Sequence, residues 1–308
     1  MSDGPVVVLA GGTGGALLAR GMLDVVGEEL VVVANTADDI EIYGAAVSPD
    51  PDLVTFMLAD IIDARGWGID GDTFGEMERL REAGQEIWFN LGDRDLGWCR
   101  RRSELLADGL TPTEAMAQLA GSLGLRATVL PMADEPVRTR LTVDGRPVGL
   151  QEFLIREQAR GAIEAVGFEG VGKARPTRQV LDALASARAI VIGPSNPVIS
   201  IGPILALPGM GEALAAAPAP VVAVSPIVGG KVLKGPTAAC MAAWGLPATT
   251  EGVASAWEGV ADLLIADEQA PGAALPVRVA ATLMDTPERR EALARDALEA
   301  SDALSVQP

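Results

Sequence analysis

Short unbroken apolar runs recur along the chain, and each ends in small or polar residues. Val6–Ala10, Leu30–Ala34, Ala127–Pro131, Ala189–Ile192, Val221–Val224 and Leu263–Ala266 have this form. Runs this short without polar alternation mark strands buried on both faces, as in a parallel sheet. Helical spacing fills the intervals. It covers Ala16–Val26 directly after the first run, then Leu53–Arg65, and dominates as far as Leu125. Asp72 or Thr73 starts one helix there, and Thr111-Pro112-Thr113-Glu114 starts another. Further helices are expected at Arg178–Ala187, from Pro236 and over the C-terminal tail. Arg138–Val143 and Pro147–Leu150 read as a hairpin turned at Asp144-Gly145, and Gln151–Arg160 as a helix or an extended arm. The alternation predicts an α/β fold with a Rossmann-like, doubly wound, mostly parallel sheet. With no repeat and no clear linker, it reads as one α/β domain over residues 1–308. A helical insertion at about 53–125 and a C-terminal helix at about 287–304 belong to that reading.

The residues that close the apolar runs carry the candidate chemistry. Gly11-Gly12-Thr13-Gly14-Gly15 follows the first run, the opening of a nucleotide-binding strand–loop–helix unit. Glycines let the backbone approach a phosphate, and a helix N-terminus favours its charge. Leu17 holds the third glycine position of G-x-G-x-x-G, so the dinucleotide fingerprint is incomplete. Asn35-Thr36-Ala37-Asp38-Asp39 follows the second run. Gly193-Pro194-Ser195-Asn196 follows Ile192, either as a strand-to-helix connector or as an anion-binding loop. Ser225 to Thr237, with Lys231 and Lys234, follows Val224. In a doubly wound sheet all these loops share one edge, which predicts one composite site. Asp50, in Ser48-Pro49-Asp50-Pro51-Asp52, has no evident structural duty, while Asp52 is either an N-cap for the helix from Leu53 or a ligand-binding carboxylate. Trp88 to Asp95 is either a charged surface turn or a pocket rim.

Composition narrows the chemistry. The chain of 308 residues contains no histidine, which excludes Ser-His-Asp and Cys-His catalysis and imidazole metal ligation. Cys99 and Cys240 have no metal or redox spacing and read as buried thiols. A net charge of −18 disfavours nucleic acid. A small phosphorylated ligand then needs local N–H groups, a few cations or a divalent metal. Asp38, Asp39, Asp50 and Asp52 are the candidate ligands for Mg²⁺, which binds one or two carboxylates plus phosphate oxygens and water. No apolar run approaches membrane-spanning length, and Met1–Pro5 lacks a basic leader, so a cytoplasmic location is expected.

Seven stretches in order resemble the 2-phospho-L-lactate transferases of coenzyme F-420 biosynthesis, the family called CofD or FbiA. They are Gly11–Gly15, Asn35–Asp39, Pro49–Asp52, Trp88–Asp95, Leu130–Thr139, Gly193–Pro208 and Ala223–Pro236. The resemblance implies transfer of a phospholactyl or phosphoenolpyruvyl group from a guanosine-diphosphate-linked donor. The acceptor is the ribityl hydroxyl of the deazaflavin Fo, with release of GMP and a requirement for Mg²⁺. It further implies Asp50 and Arg94 as the catalytic, Fo-contacting pair, joined by Asn35, Thr36 and Asp93. The donor nucleotide is then held by Gly11, Gly12, Thr13, Gly14, Gly15, Gly193, Pro194, Ser195, Asn196, Ser225 and Lys231. Asp50 is open to two roles, metal ligand or acceptor of the hydroxyl proton. Members of the family are often homodimers, so a dimer is expected.

Two departures stand out: Ala37 replaces a common Gly, and Cys99 stands where relatives often carry His. Two rival readings remain at this level. One is an NAD-dependent oxidoreductase resting on Gly11–Gly15 and Asp38; the other is a sugar-nucleotide-binding regulator, a class of distant relative with a similar glycine loop.

Overall fold

The computed structural model describes residues 4–306. Met1–Asp3, part of the segment that carries the no-leader expectation, lie outside the described residues. The central sheet has seven strands: β1 (Val6–Ala10), β2 (Leu30–Ala34), β3 (Thr128–Pro131), β4 (Ala189–Ile192), β5 (Val221–Val224), β6 (Leu263–Ala266) and β7 (Val277–Val279). In space they run β3-β2-β1-β4-β5-β6-β7, and every pairing is parallel. The strand order reverses between β1 and β4, the switch point where ligands bind in folds of this kind. All six apolar runs became strands. The seventh, Val-Arg-Val at the sheet edge, is too short and too polar to announce itself.

Alternate residues of each strand feed two cores. Val6, Val8 and Ala10 pack on one face of the sheet, Val7 and Leu9 on the other, and all five are fully buried. The first face is covered by α1 (Gly12–Val26), α2 (Pro49–Leu58) and the helices that follow: α3 (Gly75–Glu82), α4 (Asp93–Ala107) and α5 (Pro112–Ser122). Thr111 and Glu114 form the expected capping box at the start of α5. The C-terminal helix α6 (Pro287–Ser305) lies along α1. The two meet so closely at Gly21 that a β-carbon there would stand 2.4 Å from the Arg290 carbonyl oxygen.

Three local expectations change. The helix placed at Leu53–Arg65 is α2 and runs Pro49–Leu58, so Asp50 and Asp52 belong to its first turn. Pro at a first helical position is pre-set for this, because its missing N–H would be unpaired there anyway. Gly-Asp-Arg-Asp is the N-terminus of α4 rather than a turn. The hairpin of Arg138–Val143 and Arg146–Gly149 gains a third antiparallel strand, Ile163–Glu169, and Glu152–Arg156 is a single π-helical turn. No single helix among the described residues is long and apolar enough to cross a membrane.

Candidate active site

The loops after β1 and β4 lock together at the switch point. A β-carbon on Gly14 would stand 1.9 Å from the Pro194 carbonyl oxygen, and one on Gly193 would stand 2.9 Å from the Gly15 Cα. The Gly15 N–H donates to Ser195 Oγ at 2.9 Å, and the Gly193 N–H to the Leu9 carbonyl at 2.9 Å. Gly14, Gly15 and Gly193 therefore serve backbone-to-backbone packing first. Gly12, at φ +63°, is the member whose conformation itself favours glycine.

Asp50 is tied into the same knot. Its buried carboxylate accepts the Gly12 N–H at 2.7 Å and Asn35 Nδ2 at 2.9 Å. Asn35 Oδ1 in turn accepts the Ala37 N–H at 2.9 Å, which turns the loop after β2. Ala37 is not among the positive-φ residues, so Ala replaces Gly there without strain. Asp50 thus has a structural duty that its sequence context hid. Burial pushes its carboxyl up to about 6 against the two hydrogen bonds, and burial with repulsion from Asp50 holds Asp38 well above the usual carboxylate range.

A cleft of about 1260 Å³ opens over this knot. Gly11, Gly12, Thr13, Gly14, Asp38, Asp50, Asp52, Pro194, Ser195, Asn196 and Ser225 line it, as the strand-end argument expects. Asn196 Oδ1 accepts the Val198 N–H at 2.9 Å, which leaves its buried Nδ2 without a partner beside the cleft. Trp88, Phe89, Asn90, Leu91 and Gly92 form part of the rim, as does Asp95, whose carboxyl burial and Asp52 push up to about 7. Trp67, Phe74, Leu154 and Ile155, which no motif marked, add an apolar wall together with Leu233 of the loop after β5.

Other expected residues stand elsewhere. Arg94 is exposed, donates through Nη1 to the Asp70 carbonyl at 3.0 Å and does not line the cleft. Asp93 caps α3, accepting the Gly75 and Glu76 N–H groups at 2.9 and 2.8 Å, and these bonds with Thr73 hold its carboxyl below the usual range. Gly15, Gly193, Asn35, Thr36 and Lys231 do not reach the cleft wall. Asp39 accepts Ser48 Oγ at 2.7 Å and, with Thr36, lines a separate pocket of about 130 Å³.

The four candidate metal ligands are accordingly divided. Asp52, buried, pairs with Arg102 of α4 and accepts Trp98 Nε1 at 2.7 Å, which fully engages its carboxylate. Cys99 packs beneath it with Sγ 4.0 Å from Asp52 Oδ2. Among the described residues no three His, Cys, Asp or Glu side chains gather as a metal cluster. Asp38 and Asp50 remain: two buried, mutually repelling carboxylates on the cleft wall. That donor set fits Mg²⁺, which takes few protein ligands and completes its shell with water and phosphate.

A parallel sheet with this strand order and a large cleft at its switch point define a Rossmann-like α/β protein whose ligand site lies at the strand ends. The family model "2-phospho-L-lactate transferase CofD" matches residues 6–302, and the chain belongs to the CofD family. A 2-phospho-L-lactate transferase of Methanosarcina mazei is 39% identical, with 86% of this chain and 87% of that protein aligned. A phosphoenolpyruvate transferase of Kitasatospora aureofaciens is 42% identical over 81% and 80% of the two chains. A crystal structure of a UPF0052-family protein from Bacillus halodurans shares the fold, with TM-score 0.54 at 20% identity over 88% of this chain and 82% of its own. The chain is therefore an enzyme, a transferase of substituted phosphate groups in coenzyme F-420 biosynthesis. That membership sets aside the oxidoreductase and the regulator.

Proposed function

We propose that the enzyme moves a phospholactyl or phosphoenolpyruvyl group from a guanosine-diphosphate-linked donor to Fo. The ribityl hydroxyl of Fo attacks the phosphorus nearest the acid, the bond to the GMP phosphate breaks, and GMP leaves as the new phosphodiester forms. The observation that carries this reading is the size and setting of the cleft. About 1260 Å³ exceeds the roughly 300–1,000 Å³ of sites for one small molecule, so two reactants fit side by side. Its apolar wall suits a flat tricyclic ring, and its glycine-rich floor suits phosphates. In-line displacement at phosphorus needs mainly positioning and charge neutralisation.

Asp38 and Asp50 are the residues that would hold Mg²⁺, which supplies charge neutralisation at the phosphates. The chain's own contribution is the knot that fixes them: Gly12 and Asn35 orient Asp50, and the interlocked loops orient both. If Asp50 instead takes the hydroxyl proton, the same two hydrogen bonds set the direction of its free lone pairs. A homodimer working in the cytoplasm completes the proposal, and sedimentation tests its dimeric part. The direct test is mass spectrometry of the product formed from Fo with each donor in the presence of Mg²⁺. The expected product carries Fo plus one phospho-acid, with one GMP released per turnover. No adduct from either donor would overturn the proposal.

A further inference from the structure

An acidic cleft poses a problem for an anionic donor. Six aspartates line it, Asp38, Asp50, Asp52, Asp72, Asp95 and Asp285, against two cations, Arg65 and Lys234. Phosphoryl transfer requires positive charge around the phosphate oxygens. Arg65 is already engaged: its guanidinium pairs with Asp63 and lies 5.8 Å from the Phe74 ring centroid. The ion pairs of the surrounding wall, Arg65–Asp63 and Arg102–Asp52, leave Lys234 out, and it takes part in no ion pair among the described residues.

Its position fits the vacancy in charge. β5 neighbours β4, so the loop after β5 flanks the Gly193 loop at the switch point. Val232, Leu233, Gly235 and Pro236 line the cleft on either side of Lys234. Its Nζ stands 4.0 Å from where a β-carbon on Gly66 would lie, next to the cleft-lining residues Arg65, Trp67 and Gly68. Lys231, three residues earlier, pairs across a short hairpin with Val228 and is turned to solvent. Lysine is rare in this chain, with only Lys173, Lys231 and Lys234 present. A compact ammonium with rotatable donors suits phosphate oxygens whose geometry changes during transfer.

We propose that Lys234 engages the donor's phosphate oxygens across the mouth of the cleft and sets donor affinity. The inference rests on the guanosine-diphosphate donor proposed above. Calorimetric titration of GDP with Mg²⁺ into the full-length protein tests it, comparing wild type with Lys234→Ala, Lys234→Arg and, as a remote control, Lys173→Ala. Lys234 is exposed, so its removal leaves the fold intact, which circular dichroism checks. Lys234→Ala is expected to weaken GDP at least tenfold and raise the donor KM with the Fo KM unchanged. Lys234→Arg should recover part of the loss, and Lys173→Ala should bind as wild type. With so few lysines, acetylation mapped by mass spectrometry gives a second readout: GDP should protect Lys234 and leave Lys173 reactive. Wild-type GDP affinity in Lys234→Ala, or unprotected Lys234, overturns the assignment and leaves the donor reading standing. A wild-type protein that binds no GDP overturns the donor reading, and this inference with it.

Discussion

Asp50 joins structure and chemistry in one carboxylate. It accepts one backbone N–H from the glycine loop and one amide from Asn35, yet burial raises its carboxyl to about 6. Asp50→Asn keeps the shape and removes the charge. Transfer is expected to fall at least about 100-fold, whether the lost function is metal binding or proton acceptance. Stability of the ligand-free protein at about pH 8 is expected to change little, because relief of the disfavoured ionised form is offset by the Asn amide accepting only one of the two hydrogen bonds. Product formation by chromatography and thermal unfolding check the two halves; activity within twofold of wild type would remove Asp50 from the site. Asp52, two residues away, has a different fate. Its ion pair with Arg102 bolts the start of α2 to α4, a positional device rather than a net source of stability.

At the scale of elements, the interlocked loops after β1 and β4 predict opposite outcomes for the same substitution. Gly14→Ala drives a methyl into the Pro194 carbonyl, so the loops must part. Loss of transfer and a fall of several kcal/mol are expected, of the kind that overpacking at backbone contacts produces. Gly97→Ala, inside α4 with open space around it, should instead stabilise by about 0.5–1 kcal/mol through helix propensity. Urea denaturation measures both, and a neutral Gly14→Ala would contradict the interlock. The fold was largely legible in the sequence because strands buried on both faces are written as plain apolar runs. The start of α2 was not, since Pro49 and Pro51 read as loop punctuation although Pro also favours a first helical turn. The site was legible at the strand ends and illegible where partners are remote. Nothing near Asp52 announces Arg102, and nothing in Gly-Asp-Arg-Asp says that Asp93 caps α3 while Arg94 turns outward. Lys231 and Lys234 look equivalent in the chain; a two-residue hairpin register separates them.

At the scale of the molecule, several buried or half-buried carboxyls are pushed the same way. Burial pushes Asp39 and Asp95 up to about 7 and Asp50 to about 6, whereas unfolded carboxyls lose their protons near about 4. Within that window the native state holds protons that the unfolded state has released. Stability is therefore greatest at the acid side and falls as pH rises through the native values. The melting temperature of the ligand-free protein is expected to drop between about pH 5 and about pH 7.5, each group adding a slope of up to about 1.4 kcal/mol per pH unit. Asp39→Asn should flatten the profile, and a wild-type melting temperature that rises over this range would refute the account.

The contact between α1 and α6 bears on how the protein comes into being. The helix that carries the glycine loop is made before the helix that seals it through Gly21 and the Arg290 carbonyl, which follows about 270 residues later. At ribosomal rates of roughly 5–20 residues per second, α1 waits roughly 15–55 s for that cover. During this interval the part of α1 that α6 covers is open to chaperones and to other nascent chains. Yield in the cell is thus expected to depend on translation speed between the two helices and on holdase supply while α1 waits.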